Sequence, residues 1–401
     1  MGSPTVELTP PVAASPLDGL RPALLGWLGA RVAVVLGIAV AHGLSGTVSM
    51  PDGRLHLEQG LMTWDATYYK VIAEGWYGGA GTPRDAVRFF PAYPGLARLL
   101  SPVFAGRVDI PLLLIANLSA LAAAFLLWRL AIEVTGDRAV ADRSAWMVAV
   151  IPAANILAFG YSEGLTLLVV VAALLALHRR SLVWVAGLGL VAGLLRPVGI
   201  LLMVPVGVEM WRWWRGGGTP AEAEGPAGPA HPTGPFDRSV GMVAAWTAAL
   251  LAPAAGFLAA LLWVAGPDGD PLDTFRIQRE LRNGFHEPFT RLLRAFVDFG
   301  HGHLHDVYNV AFALGFLALF VVAWRRRQPA SWLALMGTTW VVAVGGNRMD
   351  SVGRYCLVAA PFAVALAQWA GRRWQQVAVA VVGAAGIVWF TAEVMLGRII
   401  P

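Results

Sequence analysis

The sequence is poor in charge and in cysteine. Only 14% of its 401 residues are Asp, Glu, Lys or Arg, against 57% hydrophobic, and so little polar surface cannot coat a water-soluble globule. The single cysteine, Cys356, excludes an internal disulfide framework and any multi-thiolate zinc or iron–sulfur centre. No phosphate loop ending in Gly-Lys-Ser/Thr occurs, so nothing indicates coupling to ATP. Gly187-Leu188-Gly189 with Gly193 misses the spacing of a dinucleotide fingerprint and lies inside an apolar run, where small residues serve close helix packing. The 30 Lys+Arg exceed the 25 Asp+Glu, but the positive side chains sit at the ends of apolar runs, where they set topology. No nucleic-acid partner is expected.

What is present is apolar sequence in long runs. Eleven spans of about 20 residues would use roughly 220 residues. Apolar runs fall at Leu24–Leu44, Ile110–Ile132, Ser144–Gly160, Gly164–His178, Leu182–Leu195, Val198–Met210, Val240–Ala265, Val307–Trp324, Trp332–Val344, Tyr355–Ala370 and Val377–Leu396. The expectation is an all-α polytopic membrane protein, a bundle of about eleven transmembrane helices, some of them half-length. Residues 1–23, with five prolines, read as a flexible lead that stays attached. Residues 24–215 form an N-terminal module with a large first loop at 47–110. The six glycines and five prolines of 216–235 make a disordered linker, and 236–401 form a C-terminal module with a second long loop at 266–306.

Arginine sets the orientation. Arg129, Arg138 and Arg143, then Arg179 and Arg180, Arg212 and Arg215, Arg325 to Arg327, and Arg372 with Arg373 mark every second connection as cytoplasmic. The N-terminus is then cytoplasmic, and the two long loops, the turn at 161–163, Arg196-Pro197 and 345–354 face the external side of the cell membrane. Basic flanks with Arg196-Pro197 between them make Leu182–Met210 a hairpin of two short helices.

The chemically richest segment runs from Thr63-Trp64-Asp65-Ala66-Thr67-Tyr68-Tyr69 to Phe89-Phe90-Pro91-Ala92-Tyr93-Pro94. Trp64, Tyr68, Val71 and Ile72 recur at helical spacing, which predicts an interfacial helix with its aromatic face in lipid or protein. With Thr63 as N-cap, Asp65 falls in the first turn, where the helix dipole favours a carboxylate able to accept a proton. A plain cap beside an interfacial anchor reads the same residues more simply. Arg84, Asp85 and Arg88 add charge next to the proline-braced aromatic turn, and carboxylate, cations and aromatic planes together suit a sugar phosphate on a lipid.

The other external segments contribute single groups. Glu163 in Tyr161-Ser162-Glu163 interrupts an apolar region, and Arg196 lies deep among apolar residues, so it needs an anionic partner: a phosphate, or Glu163 itself. Arg348, Asp350 and Arg354-Tyr355 form a further cluster, and arginine holds phosphate through a planar two-pronged contact. Between Phe275 and Val297, Leu281, Phe285, Phe289, Leu292 and Phe296 alternate with Arg279, Arg282, Arg291 and Arg294. This is an amphipathic element that rests on anionic headgroups or, less commonly, contacts substrate, broken in two at Asn283-Gly284 and Pro288. His301, His303, His305 and Asp306 are candidate metal ligands, but alternate spacing aligns three histidines only in an extended segment, so a divalent metal is not favoured.

Taken in order, Trp64-Asp65 with Tyr68, Phe89 to Pro94, Tyr161-Ser162-Glu163, Arg196-Pro197-Val198-Gly199 and Arg354-Tyr355 resemble the PIG-V family, the GPI mannosyltransferase II enzymes and their bacterial relatives among the GT-C glycosyltransferases. The matching pieces span residues 64 to 355. The family more often shows a polar residue and Asn-Gly after the arginine where this chain has Pro197-Val198-Gly199. The resemblance implies a GT-C-type bundle and transfer of mannose from a polyprenyl-phosphate carrier to a lipid-linked or glycan acceptor on the non-cytoplasmic face, with Asp65 as base.

The residues accommodate that activity. A donor carrying its own phosphate leaving group needs no nucleotide domain, and a single displacement with inversion needs one carboxylate. The expected assignments are Asp65 as catalytic base; Trp64, Tyr68, Arg84, Arg88, Phe90, Tyr93, Tyr161 and Glu163 on the sugars; and Arg196, Arg348, Arg354 and Tyr355 on the donor phosphate, with no cofactor. A lipid or glycolipid transporter is the competing class, and it makes less use of a long loop dense in aromatics with one poised acid.

Overall fold

The computed structural model describes residues 17–79, 81–216, 239–266, 269–282, 287–300, 307–345 and 351–400, and among them there is helix and no strand. In chain order the helices are α1 (Leu20–Leu44), α2 (Leu55–Gln59), α3 (Asp65–Gly75), α4 (Ala92–Leu100), α5 (Asp109–Thr135), α6 (Arg138–Val150), α7 (Glu163–His178), α8 (Leu182–Leu195), α9 (Met203–Trp214), α10 (Val240–Ala265), α11 (Asp273–Arg282), α12 (Pro288–Gly300), α13 (Val307–Arg325), α14 (Ala330–Val344), α15 (Val352–Leu357), α16 (Pro361–Trp369) and α17 (Arg373–Met395).

Five of the described helices, α1, α5, α10, α13 and α17, are long and apolar enough to cross a bilayer, and a sixth span results if 152–158 and α7 are one element bent by 106°. Sequence reading expects eleven. The difference lies in continuity. The run at Ser144–Gly160 divides where α6 ends at Val150 and a tight turn, Pro152–Ala158, follows; that at Tyr355–Ala370 divides between α15 and α16. The 14 residues of α8 rise about 21 Å, short of a hydrocarbon core of about 30 Å. The first helix starts at Leu20, not Leu24. The linker at 216–235 falls, apart from Gly216, outside the described residues.

Small residues set the tightest packing. α8 and α10 cross so closely that a Cβ on Gly193 would lie 2.2 Å from the Pro253 carbonyl oxygen, and one on Gly256 2.0 Å from that of Leu190. At Gly199 a Cβ would meet the Ala192 oxygen at 1.9 Å. Here the chain leaves α8 through an extended Arg196 and folds straight back as the turn Pro197–Leu202. Proline begins that turn without losing a needed hydrogen bond, and only glycine fits two residues later. These contacts realise the expected break at Arg196-Pro197.

A half-buried polar knot joins the N-terminal helices. Arg31 of α1 donates from Nε to Asn117 Oδ1 of α5 (3.0 Å) and from Nη2 to the Leu157 carbonyl (2.8 Å). Asn117 Nδ2 donates to the Ala158 carbonyl at 3.1 Å. An arginine inside an apolar helix persists when its donors are satisfied in this way. The knot pins the 152–158 turn, and with it the 161–163 segment that follows.

Candidate active site

Asp65 is the first residue of α3, and its predecessor makes an unusual turn. Trp64 has φ of +55°, a conformation that favours glycine. Two contacts hold it there: its ring stacks on His56 at 4.2 Å between centroids, and its Nε1 donates to the Val394 carbonyl at 3.1 Å. Trp64, not Thr63, occupies the cap position of α3 and makes no side-chain cap. The expectation of Thr63 as N-cap fails because its hydroxyl is engaged elsewhere, with His56 Nδ1 at 2.6 Å and as donor to Gln59 Oε1 at 3.0 Å. The Tyr161 hydroxyl instead accepts the Asp65 backbone N–H at 3.0 Å.

The buried face of α3 is Ala66, Tyr69, Ile72 and Ala73. It shares only Ile72 with the expected stripe of Trp64, Tyr68, Val71 and Ile72. Three small or amphipathic residues pack on the bundle, so Asp65 and Tyr68 turn the other way, onto the wall of a 630 Å³ cavity.

At that wall Asp65 Oδ2 accepts from Arg354 Nη1 of α15 at 2.7 Å. Arg354 Nε lies 3.0 Å from Glu163 Oε1, and the same carboxylate pairs with Arg196 Nη1. Glu163 is fully buried, while the Asp65 side chain keeps 23% of its exposure. Two carboxylates and two guanidiniums thus alternate in one chain of contacts, neutral overall, with its one open end at Asp65. Arg196 Nη1 also donates to Ser162 Oγ at 3.2 Å, and Ser162 shares a 2.7 Å hydrogen bond with the Tyr69 hydroxyl. Both guanidiniums lie near the Tyr355 ring, at 5.7 Å from Arg196 and 6.0 Å from Arg354.

A second charged group lines the same cavity. The Tyr68 hydroxyl and Arg88 Nη2 both donate to Asp85 Oδ2, at 2.7 and 2.8 Å. The Arg88 guanidinium covers the Tyr68 and Phe89 rings at 5.4 and 5.1 Å. Burial, and then the hydrogen bond to Asp85, push the Tyr68 hydroxyl above its ordinary pKa, so it stays a donor. Phe90 and Tyr355 also line the cavity.

Of the expected substrate residues, the cavity wall holds Asp65, Trp64, Tyr68, Arg88, Phe90, Arg196, Arg354 and Tyr355. Tyr161 and Glu163 lie behind it, where they support Asp65 and the arginines. Two expectations are corrected. Arg84 is exposed and away from the wall. Tyr93 is fully buried and spends its hydroxyl on the Leu112 carbonyl at 2.8 Å, because α4 turns it into the core against α5. Arg348, Asp350, His301, His303, His305 and Asp306 lie outside the described residues. Among the described residues no group of three or more His, Cys, Asp and Glu is placed to hold a metal ion.

Some lining residues carry little sequence signal. His56 and Gln59 come from α2, and Ser351 precedes α15 with φ of +72°. The amphipathic segment does break in two, as α11 and α12. Thr274, Phe275 and Gln278 of α11 nevertheless line the cavity, and Thr274 Oγ1 donates to the Val87 carbonyl at 2.9 Å. An amphipathic period marks an apolar face without saying what it covers.

No protein-family model matches the chain, and no curated protein matches it significantly. Among solved structures, an oligosaccharyltransferase of Archaeoglobus fulgidus in complex with zinc and sulfate matches with a TM-score of 0.45 and 16% identity, over 92% of this chain and 53% of that one. The archaeal oligosaccharyltransferase AglB of the same organism, in complex with an inhibitory peptide and a dolichol-phosphate, matches with a TM-score of 0.43 and 14% identity, over 92% and 56%. The chain spans about half the length of the solved structures it matches.

Proposed function

We propose that this protein is an integral-membrane GT-C-type glycosyltransferase that moves a sugar, mannose by its PIG-V resemblance, from a polyprenyl-phosphate donor to an acceptor hydroxyl on the external face. One observation carries the reading: a partly open carboxylate, Asp65, on the wall of a 630 Å³ cavity, bonded at 2.7 Å to a buried arginine. A glycosyl transfer of this kind needs a base for the incoming alcohol and a cation for the departing phosphate within one cavity.

The reaction is one displacement. The acceptor hydroxyl gives its proton to Asp65, its oxygen bonds to the anomeric carbon, and the bond from that carbon to the phosphate oxygen breaks, its electron pair leaving on the phosphate. Configuration inverts. The donor phosphate would take a two-pronged contact from Arg354, which loosens the hold of Arg354 on Asp65 and frees the carboxylate as base. Glu163 and Ser162 keep Arg196 and Arg354 aimed at the cavity, and Tyr355 flanks both. Arg88, Tyr68 and Asp85 offer donors and an acceptor to sugar hydroxyls, with Trp64 and Phe90 as apolar planes. The arginine bias of the connections supports reading this cavity as external and the N-terminus as cytoplasmic.

The test supplies purified protein with a panel of polyprenyl-phosphate sugars and hydroxylated acceptors and identifies products by mass spectrometry. Wild-type protein yields a new glycoside of inverted configuration, and Asp65→Asn forms it about 10²–10⁴-fold more slowly while still binding donor. Translocation of lipid with no new glycosidic bond would establish the transporter class instead.

A further inference from the structure

Asp65 is aimed by a backbone turn of high energy. Trp64 has φ of +55° and ψ of −126°, a region that glycine enters freely and a residue with a side chain enters only at a cost. Those two angles orient the peptide between Trp64 and Asp65. They send the Asp65 N–H to the Tyr161 hydroxyl and leave the carboxylate beside Arg354. Relaxation of Trp64 to negative φ would rotate that peptide, break the first contact and swing the carboxylate off the second.

A clamp on the indole resists that relaxation. Trp64 Nε1 donates to the Val394 carbonyl at the end of α17, and the ring lies flat on the His56 imidazole, with centroids 4.2 Å apart and planes 5° from parallel. The imidazole is itself fixed on three sides. Thr63 spends its hydroxyl proton on Gln59, so His56 Nδ1 is the donor in the 2.6 Å contact with Thr63 Oγ1. His56 Nε2 stands 3.1 Å from Asp52 Oδ2. Behind the ring, a Cβ on Gly397 would lie 2.8 Å from His56 Cδ2, so the chain after α17 closes that side. His56 lines the cavity but is 6% exposed. With both nitrogens facing protein oxygens and one face on Trp64, the ring has little left to offer a substrate.

We infer that His56 is a positioning residue: its flat ring holds Trp64 in the strained turn and thereby sets the Asp65 carboxylate where it takes the acceptor proton. The inference rests on the glycosyl-transfer reading and adds to it a residue that acts on the base through its neighbour. In nanodiscs, full-length protein is assayed with polyprenyl-phosphate mannose as donor and octyl mannoside as acceptor. His56→Ala lowers kcat about 10²-fold, the cost of a reacting group about 1 Å out of place, and leaves the KM of both substrates unchanged. His56→Leu, which fills the same space without a flat face, behaves as His56→Ala does. His56→Phe, which keeps a flat ring and has no nitrogen, recovers most of the loss. In a Trp64→Gly background, where glycine takes the turn unaided, His56→Ala lowers kcat no further. Hydrogen exchange read by mass spectrometry follows the clamp without turnover. The Asp65 amide exchanges at least about tenfold faster in His56→Ala than in wild type, and His56→Phe restores its protection.

The inference is overturned if His56→Phe is as slow as His56→Ala, or if KM rises while kcat holds, since either result places His56 on the substrate. It is equally overturned if the losses from His56→Ala and Trp64→Gly simply add, or if the Asp65 amide exchanges alike in every variant. No glycoside from the wild type would sink the glycosyl-transfer reading whatever the exchange shows, whereas glycoside formation with kcat and exchange indifferent to His56 would sink the clamp alone.

Discussion

Asp65 and Arg354 stand 289 residues apart in the chain and meet at 2.7 Å on the wall of one cavity. Each is held from behind: the backbone N–H of Asp65 is received by the Tyr161 hydroxyl, and Arg354 rests on Glu163. Both supports come from the same three-residue segment, 161–163, at the entry to α7. A single short stretch therefore positions a carboxylate from the first long loop and a guanidinium from near the C-terminus.

Asp65→Asn keeps the shape of the side chain and removes the base. Product formation falls by about 10²–10⁴-fold, while the melting temperature stays within a few degrees of wild type. A variant that retained full turnover would remove Asp65 from the chemistry.

Glu163→Gln acts on stability first. Among the described residues it leaves Arg196 with no paired carboxylate and Arg354 with Asp65 alone, each guanidinium with about a tenth of its side-chain surface accessible. Breaking a buried pair from one side costs about 3–5 kcal/mol, so thermal unfolding in detergent shifts downward by several degrees. Glu163→Asp, which shortens the carboxylate without removing it, recovers part of the loss.

The packing of α8 offers an internal control. Gly193→Ala drives a methyl into the Pro253 carbonyl and destabilises by about 1–3 kcal/mol. Gly187→Ala, on the same helix with nothing within 4 Å, is neutral or stabilising. Equal melting temperatures for the two variants would contradict the close crossing of α8 and α10.

Tyr68 gives the pH dependence. Its pKa is raised by burial and by Asp85, so the folded state holds its proton more tightly than the unfolded state does. That contribution to stability is complete below the ordinary tyrosine value of about 10 and is lost as pH climbs through the raised one. Difference absorbance at 295 nm between wild type and Tyr68→Phe accordingly shows no tyrosinate from Tyr68 until pH exceeds about 10.

Sequence pattern alone determined that the chain is helical and apolar, that it turns back at Arg196-Pro197, that the 275–297 element splits in two, and that Asp65 opens a helix. These are local matters of hydropathy period, proline geometry and terminal dipoles. Pattern could not decide which side of α3 faces the bundle, because Trp64, Tyr68, Tyr69 and Ile72 offer two apolar stripes one residue apart; packing against α4 and α5 chose the one with Ala66 and Ala73. Nor could it tell Tyr93, turned into the core, from Phe90, turned to the cavity, or find His56 and Gln59. Whether Arg196 met a phosphate or Glu163 was open for the same reason. Ionic partners are settled by proximity in three dimensions, and only the folded chain strings residues 65, 354, 163 and 196 into one line of ion pairs.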